Sequence, residues 1–481
     1  MEFEPVIGLE IHAQLQTATK IFCGCSTTFG APPNTHVCPV CLGLPGALPV
    51  LNERVVELAI RAALALRCEV QPLSLFARKN YFYPDLPKGY QISQYDQPLA
   101  TDGRVRYVAD EGEVDVRIIR VHLEEDAGKS LHAGVPGSGR ATHLDFNRSG
   151  VPLIEVVTHP DLRSSAAAAD FFSRLRAMFR ALAVNDGNME EGSLRCDANV
   201  SVRPPGTTRL GVKVEVKNIN SFRFLQHALE YELARQSDVL RAGGAITQET
   251  RLWDAANGRT LPMRSKEEAH DYRYFPEPDL PPLEVSAAWV AAISESLPEL
   301  PEERRQRLVA EFGVAEKDAA WLAQSAELTS YFEDTVRASG NAKAACNWMM
   351  GSVGRYLNEH DVEIGGLRVV PERLAELIAL VESGTISTSA ARTVFERMAA
   401  SGEAPRAIVE AEGLVQIDDS DVLGAAVREA LEGNPDAVAS YRAGKTGTLG
   451  FLVGQVMRRT QGKANPRAAR AMLLEVLDGG R

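Results

Sequence analysis

The stretch SLRCDANVSVR, Ser193 to Arg203, decides the fold class. From Leu194 onward it alternates: Leu194, Cys196, Ala198, Val200 and Val202 are mostly apolar, while Arg195, Asp197, Asn199, Ser201 and Arg203 are polar. Strand side chains point to opposite faces with period two, so the segment reads as a half-buried β-strand. Two further stretches repeat the pattern. In VIGLEIH, Ile7, Leu9 and Ile11 oppose Glu10 and His12; in GVKVEVKN, Val212, Val214 and Val216 oppose Lys213, Glu215 and Lys217. DVRIIRVHLEED separates less cleanly: His122 and Glu124 share parity with Val116 and Ile118, whereas Glu125 shares it with Val121 and Leu123. Together these strands predict a largely antiparallel sheet with one face on a core. An ordinary solvent face uses Thr, Lys and Glu interchangeably. Here Glu-x-His, Asp-x-Asn and Lys-x-Glu-x-Lys recur beside HLEEDAGK, which favours a polar active-site face.

The texture changes near residue 285, after which long Ala/Leu/Glu/Arg stretches dominate, so the chain reads as α+β with an all-α second part. The proline-dense segments FPEPDLPPLE (Phe275 to Glu284) and LPELPEE (Leu297 to Glu303) read as a linker or domain edge, and SGEAP within Ala400 to Gly413 reads as a second boundary. The expected division is 1–293, 294–408 and 409–481, consistent with 481 residues being too many for one core. Lys+Arg 52 against Asp+Glu 64 gives a formal charge of -12, so any nucleic-acid surface must be a local basic patch. Seven cysteines are too few for a secreted disulfide scaffold. MEFEPVIGLEIHAQL lacks the marks of a signal peptide, and no run reaches the roughly 18 apolar residues of a membrane helix. A soluble, cytoplasmic protein with no membrane partner is expected.

Cys23, Cys25, Cys38 and Cys41 form C-x-C-x12-C-x2-C across a Pro/Gly-rich loop, 23–41. Two thiol pairs so spaced suit a structural zinc site with sulfurs about 2.3 Å from the metal, although His36 could replace one sulfur. Four protein sulfurs leave no open position, so such a site would staple a loop. Cys68, Cys196 and Cys346 sit in apolar patterns and read as packed thiols.

Glu10 and His12, two apart on a strand, emerge together roughly 6–7 Å apart and can share one divalent ion. HLEEDAGK supplies Glu124, Glu125 and Asp126 in a row, and Glu215 is a further acid; oxygen-rich clusters select hard ions such as Mg2+, which bridges phosphate oxygens. Lys213 and Lys217 flank Glu215, while Lys79 and Lys88 bracket much of RKNYFYPDLPKGYQISQYD, which also holds Tyr81, Tyr83, Tyr90 and Tyr95. Lysines there can neutralise a transferring phosphate, and tyrosines can stack on a base or pack the loop. RAGKTGTLG is a decoy: a phosphate loop needs glycine six positions before the lysine, where Ala439 stands. From Tyr441 to Arg470 there are seven Lys/Arg and no Asp/Glu, among them Lys445, Arg458, Arg459 and Lys463. Asn434-Pro435 and Asn465-Pro466 read as helix starts, so this is a basic helical tail suited to RNA phosphates.

These motifs carry a resemblance. VIGLEIHAQL, RKNYFYPDLPKGYQISQYDQP, HLEEDAGKS, DFNRSGVPLIEVVT, MEEGSLRCDANVSVR, KVEVKNINSF, DYRYFPEPDLPPL and GFLVGQVMRRTQGKANP resemble, over essentially the whole chain, the B subunits of glutamyl/aspartyl-tRNA amidotransferases. The resemblance implies a catalytic cradle of glutamine-synthetase-like fold, a helical domain and a small tRNA-binding tail. It implies a ligase forming a carbon–nitrogen bond with glutamine as amido donor. ATP phosphorylates the side-chain carboxylate of glutamate or aspartate misacylated onto tRNA, and ammonia displaces phosphate to give Gln-tRNA(Gln) or Asn-tRNA(Asn). It further implies Glu10, His12, Glu125 and Glu215 as magnesium ligands, with Glu124 and Asp197 as close seconds. Glu124, Glu125, Lys79 and Lys88 are the expected catalytic residues, the lysines lining an ammonia path or touching phosphate. Lys213, Lys217, Arg195 and Tyr83 are expected at phosphate or ATP. The zinc cysteines occur in part of that family, and all four stand here. The chain shows neither a Gly/Ser-rich amidase signature nor a convincing glutaminase nucleophile, so ammonia is expected from an amidase (A) subunit in a heterotrimer with a small C subunit. The rival reading is a non-catalytic tRNA-binding scaffold, and preference between Glu-tRNA and Asp-tRNA stays open.

Overall fold

Period-two alternation builds the first half of the molecule. The computed structural model describes residues 2–109, 112–131, 141–263, 272–415, 420–460 and 464–479. It divides into two units, Met1–Leu300 and Pro301–Arg481. Nine strands form the main sheet of the first unit. In chain order they are β1 (Glu4–Gln14), β2 (Glu69–Val70), β3 (Ala100–Ala109), β4 (Gly112–Glu125), β5 (Pro152–Thr158), β6 (Leu194–Arg203), β7 (Val214–Ile219), β8 (Glu249–Asp254) and β9 (Arg259–Pro262). Their spatial order is β9-β8-β7-β6-β1-β5-β4-β3-β2. Every neighbouring pair is antiparallel except β7 and β8. The α+β expectation, with a largely antiparallel sheet and a helical second part, holds.

The apolar face of the sheet is roofed by helices α1 (Glu53–Ala65), α2 (Ser165–Ala181) and α3 (Phe222–Arg241), whose N-cap residues Asn52, Ser164 and Ser221 accept backbone N–H bonds from their first turns. Ile7, Leu9, Ile11, Leu194, Cys196, Ala198 and Val200 join Leu58, Phe171, Phe172, Phe179 and Leu229 in one buried cluster. Burying each phenylalanine there contributes about 1.5–3 kcal/mol. That burial fixes which face of each strand points inward, and so which face is left for polar side chains.

The poorer alternation of β4 has a structural cause. Buried positions run Val116 and Ile118, then change parity to Val121 and Leu123. The β5–β4 register shifts between Val157 and Thr158, leaving Ile119 as an extra residue, and Asp102 on β3 has φ 57°. The irregularity turns His122 and Glu124 onto the polar face.

FPEPDLPPLE, expected as a linker or domain edge, is paired into the first unit. Phe275–Pro276 pairs with Ala77 and Arg78, and Leu283–Glu284 with Leu73 and Ser74. Prolines are tolerated because an edge strand leaves N–H groups on one side unpaired. The buried Glu277 carboxylate accepts two bonds from Arg78, at 2.7 and 2.8 Å. Residues 77–80 also pair with Tyr90–Ser93, which positions Lys79 and the turn carrying Lys88.

In the second unit, helices run from Pro301–Phe312 to Pro466–Asp478. They enclose two separate apolar clusters, one from Leu308 to Val409 and one from Leu423 to Leu477. SGEAP ends one helix at Gly402, whose φ of 74° suits glycine, and Pro405 opens the next. Both expected Asn-Pro helix starts occur. Asn465 caps Arg467 and Ala468, while Asn434 instead donates to the Ala430 carbonyl. Among the described residues no helix is long and apolar enough to cross a membrane.

Candidate active site

Strand register assembles the site. Across β6, β1, β5 and β4, Arg195, His12, Glu155 and His122 are successive cross-strand partners, so their side chains share one face. Glu124 sits on that face, two residues beyond His122. His12 Nε2 lies 3.7 Å from Glu124 and 3.6 Å from Glu155, while His122 Nε2 lies 3.1 Å from Glu155. His12, Glu124 and Glu155 bring ligand atoms within 4.8 Å of one another, so they could hold a metal ion. Burial disfavours the charge on His12, but Glu155 and Glu124 outweigh it and push the imidazole up to about 9. Burial also opposes ionisation of Glu155, yet His122 and His12 hold its carboxyl well below the usual range.

A cavity of about 250 Å³ opens over this cluster, lined by cations as well as acids: Lys79, Arg148, Arg195 and Lys217 beside His12, Glu124, Asp126 and Asp197. Asp126 is buried and accepts from Gln14 Nε2 at 2.9 Å and Arg195 Nη2 at 3.2 Å, with Arg148 Nε at 3.6 Å. Lys217 Nζ bridges Asp197 at 2.5 Å and Glu215 at 2.8 Å. Lys79 stands over the Tyr272 ring at 5.0 Å. Burial opposes its charge, but Glu124 and neighbouring groups raise it above the ordinary lysine range.

Several expected residues lie elsewhere. Glu125, expected beside Glu10 and His12, points to the other face of β4. It pairs with Lys88 and accepts from the Ile92 N–H at 2.9 Å. That pair borders a second cavity, of about 200 Å³, walled by Cys41, Gly43 and Leu44. Glu10 shares the polar face but accepts from Asn199 at 2.9 Å, and burial followed by Glu155 raises its carboxyl. Glu215 is tied by Thr250 Oγ1 at 2.7 Å as well as by Lys217. Lys213 is exposed and precedes β7, and Val212, expected inward, is 46% exposed. Tyr83 is exposed; Tyr81 lines the cavity instead. Glu155 and Arg148 also join the site, though no spacing or alternation in the sequence marks them. Glu155 leaves a signal, a single carboxylate inside the apolar run PLIEVVT, which burial permits only with partners.

The four cysteines converge as expected, each sulfur within 4.8 Å of the others, and could hold a metal ion. A short bridge between Thr19 and Ser26 shapes the first pair, and the Leu42 N–H to Cys38 carbonyl bond closes the turn of the second. His36 is not part of the cluster. In the tail, Lys445, Arg458 and Arg459 are exposed, and Arg459 pairs with Glu429 at 3.1 Å. Lys463 lies outside the described residues. The Gly-Lys-Thr decoy falls in a turn between helices, with no strand before it.

Comparison with known proteins agrees over the full length. Residues 5–291 match the family model described as the GatB/GatE catalytic domain, and residues 330–477 match the GatB domain. The chain is 55% identical over 477 residues to a Moorella thermoacetica protein, covering 99% of this chain and 100% of that one. It is 53% identical over 479 residues to a Pelodictyon phaeoclathratiforme protein and 52% over 479 residues to one from Geobacter sulfurreducens, with 100% of both chains covered in each case. All three relatives are named as the B subunit of an aspartyl/glutamyl-tRNA(Asn/Gln) amidotransferase. With both domain models and these full-length relatives in agreement, the chain belongs to the family of B subunits of aspartyl/glutamyl-tRNA(Asn/Gln) amidotransferases.

Proposed function

We propose that this chain activates and amidates the side-chain carboxylate of glutamate or aspartate misacylated onto tRNA. The observation that carries the reading is the mixed lining of the 250 Å³ cavity, where His12 and Glu124, two members of the His–Glu–Glu cluster, stand among four cations. A carboxylate is a poor electrophile. Transfer of the ATP γ-phosphoryl group to its oxygen makes phosphate the leaving group, and ammonia attack at carbon then releases phosphate and forms the amide. Such a transfer needs positioning and charge neutralisation more than covalent work by the protein. His12, Glu124 and Glu155 are the residues that would hold Mg2+, which when bound supplies neutralisation of phosphate charge. Lys79, Arg195, Arg148 and Lys217 surround the space where the phosphoryl group would sit, and Asp126 orients Arg195 and Arg148 toward it.

The four cysteines hold zinc in this reading, since a set of four thiolates suits a closed tetrahedral site. Ammonia comes from an amidase (A) subunit in an assembly with a small C subunit, a reading supported by relatives that are named as B subunits. The last apolar cluster forms a separate tail domain that binds tRNA, supported by its exposed Lys445, Arg458 and Arg459.

The test is ATP-driven phosphate release and amide formation with free ammonia, using Glu-tRNA(Gln) and Asp-tRNA(Asn) separately. Release that depends on misacylated tRNA is expected; binding of tRNA with no such release would make the chain a scaffold. For the tail, Arg458→Gln is expected to weaken tRNA binding and to lower the log-log salt slope by about one unit. Arg459→Gln, already tied to Glu429, should do less. Unchanged affinity and slope in both variants would remove the tail as the RNA anchor.

A further inference from the structure

Lys20 is fully buried, at 0% exposure, and stands among the largest side chains so enclosed in the described residues. A buried ammonium is strongly disfavoured unless a counter-charge and hydrogen-bond acceptors surround it. Its Nζ donates to the His36 carbonyl at 2.7 Å and the Phe146 carbonyl at 3.4 Å, and reaches Cys41 Sγ at 3.7 Å. Among the described residues no carboxylate lies within ion-pair distance of it. Two carbonyls satisfy donors but do not neutralise a charge. Among the described residues, the one group within hydrogen-bonding distance of Nζ that can carry a negative charge is the Cys41 sulfur.

The rest of Lys20 is tied to the same loop. Its backbone N–H donates to the Cys25 carbonyl at 3.0 Å, so one residue grips both cysteine pairs, by its backbone and by its side chain. Through Phe146 it also fixes the loop to the turn before β5, where Ser149 Oγ donates to the Cys41 carbonyl at 3.2 Å. Four thiolates around a divalent ion leave two uncompensated negative charges. An ammonium beside one sulfur removes half of that excess.

From this geometry we propose that Lys20 is the charge-balancing and positioning residue of the four-cysteine metal site, and that its burial depends on an anionic metal–thiolate centre beside it. The inference rests on the zinc reading of the cluster. It extends that reading by assigning a role to a residue that supplies no ligand atom.

The test uses the full chain, purified without chelators, and zinc itself as probe. Zinc content and transfer of zinc to a competing chelator are measured for the natural chain, for Lys20→Met, which keeps the stem and removes the charge, and for Lys20→Gln, which keeps a donor for a carbonyl. Losing a partner outside the ligand set commonly lowers metal affinity about 10–100-fold, and a loss of that size is expected in both variants. Their melting temperatures should approach that of the natural chain as free zinc is raised, because the deficit lies in metal binding. A natural chain that binds no zinc would overturn the zinc reading, and this inference with it. A natural chain that binds zinc tightly while both variants retain it equally well would overturn this inference alone. So would a melting deficit that stays constant at every zinc concentration, or failure of both variants to fold even in excess zinc, since either makes Lys20 a packing residue only.

Discussion

The two candidate metal clusters of the first unit are built in opposite ways. The cysteine cluster draws its ligands from 19 consecutive residues, Cys23 to Cys41, so local loop geometry is enough to bring them together. The His12–Glu124–Glu155 cluster draws on β1, β4 and β5, and exists only because strands far apart in sequence lie side by side in a particular register. The donors differ as well: thiolates suit a closed structural site, whereas carboxylates and an imidazole suit an exchangeable hard ion. A chain can therefore advertise a local site by spacing while concealing a strand-built one.

Breaking the strand-built cluster should have the largest effect. Glu155→Gln keeps shape but removes a negative ligand. Loss of an outer partner alone commonly costs about 10–100-fold, so ATP-driven phosphate release should fall by at least about 100-fold. Mn2+ affinity, read by electron paramagnetic resonance, should fall with it; normal affinity in this variant would take Glu155 out of the metal set.

Next comes the local cluster. Cys38→Ser should lower zinc content and loosen residues 23–41, with activity falling only as far as that loop destabilises its surroundings. Full zinc occupancy by elemental analysis would sink the four-sulfur assignment. If instead activity vanished while thermal stability held, the site would not be purely structural.

A one-residue contrast sharpens the comparison. Glu124→Gln should weaken Mn2+ binding, whereas Glu125→Gln, on the opposite face, should leave it within about threefold. That leaves the buried Lys88 without its charged partner, and disrupting a buried pair commonly costs about 3–5 kcal/mol, so thermal stability should drop. Equal loss of Mn2+ affinity in both variants would mean that Glu125 can reach the metal despite its position.

The smallest effect is a pH dependence. His12 titrates near 9 in the folded chain, above its ordinary 6.5, so its contribution is complete below pH 6.5 and is lost as pH rises through about 9. In chelator, the melting temperature should decline across that window. Magnesium should lessen the decline, because the neutral imidazole is the form that ligates a metal. Parallel curves with and without magnesium would argue against His12 as a ligand.

Legibility followed the range of the interactions involved. The cysteine site, the Asn-Pro helix starts and the strands β1, β6 and β7 were readable because a spacing or a period within one segment dictates them. Glu10 and His12 were readable as face-mates for the same reason. Their partners were not: Glu155 stands alone in an apolar strand, and its importance comes from lying opposite both His12 and His122. Period two already sets Glu124 beside His122 and Glu125 on the other side, but only the irregularity at Ile119 decides that the His122 side is the polar face shared with His12. FPEPDLPPLE looks like a linker because its prolines forbid a central strand, yet edge pairing uses it.

By itself, then, the sequence determined the apolar and polar faces of the regular strands β1 and β6, because side-chain periodicity and solvation act within a few residues of chain. Tertiary structure alone decided which polar groups meet. Ion pairing and metal ligation act over a few ångströms of space, and strand order with its register shift brings Glu155, from a separate strand, to His12 while turning Glu125 away to Lys88.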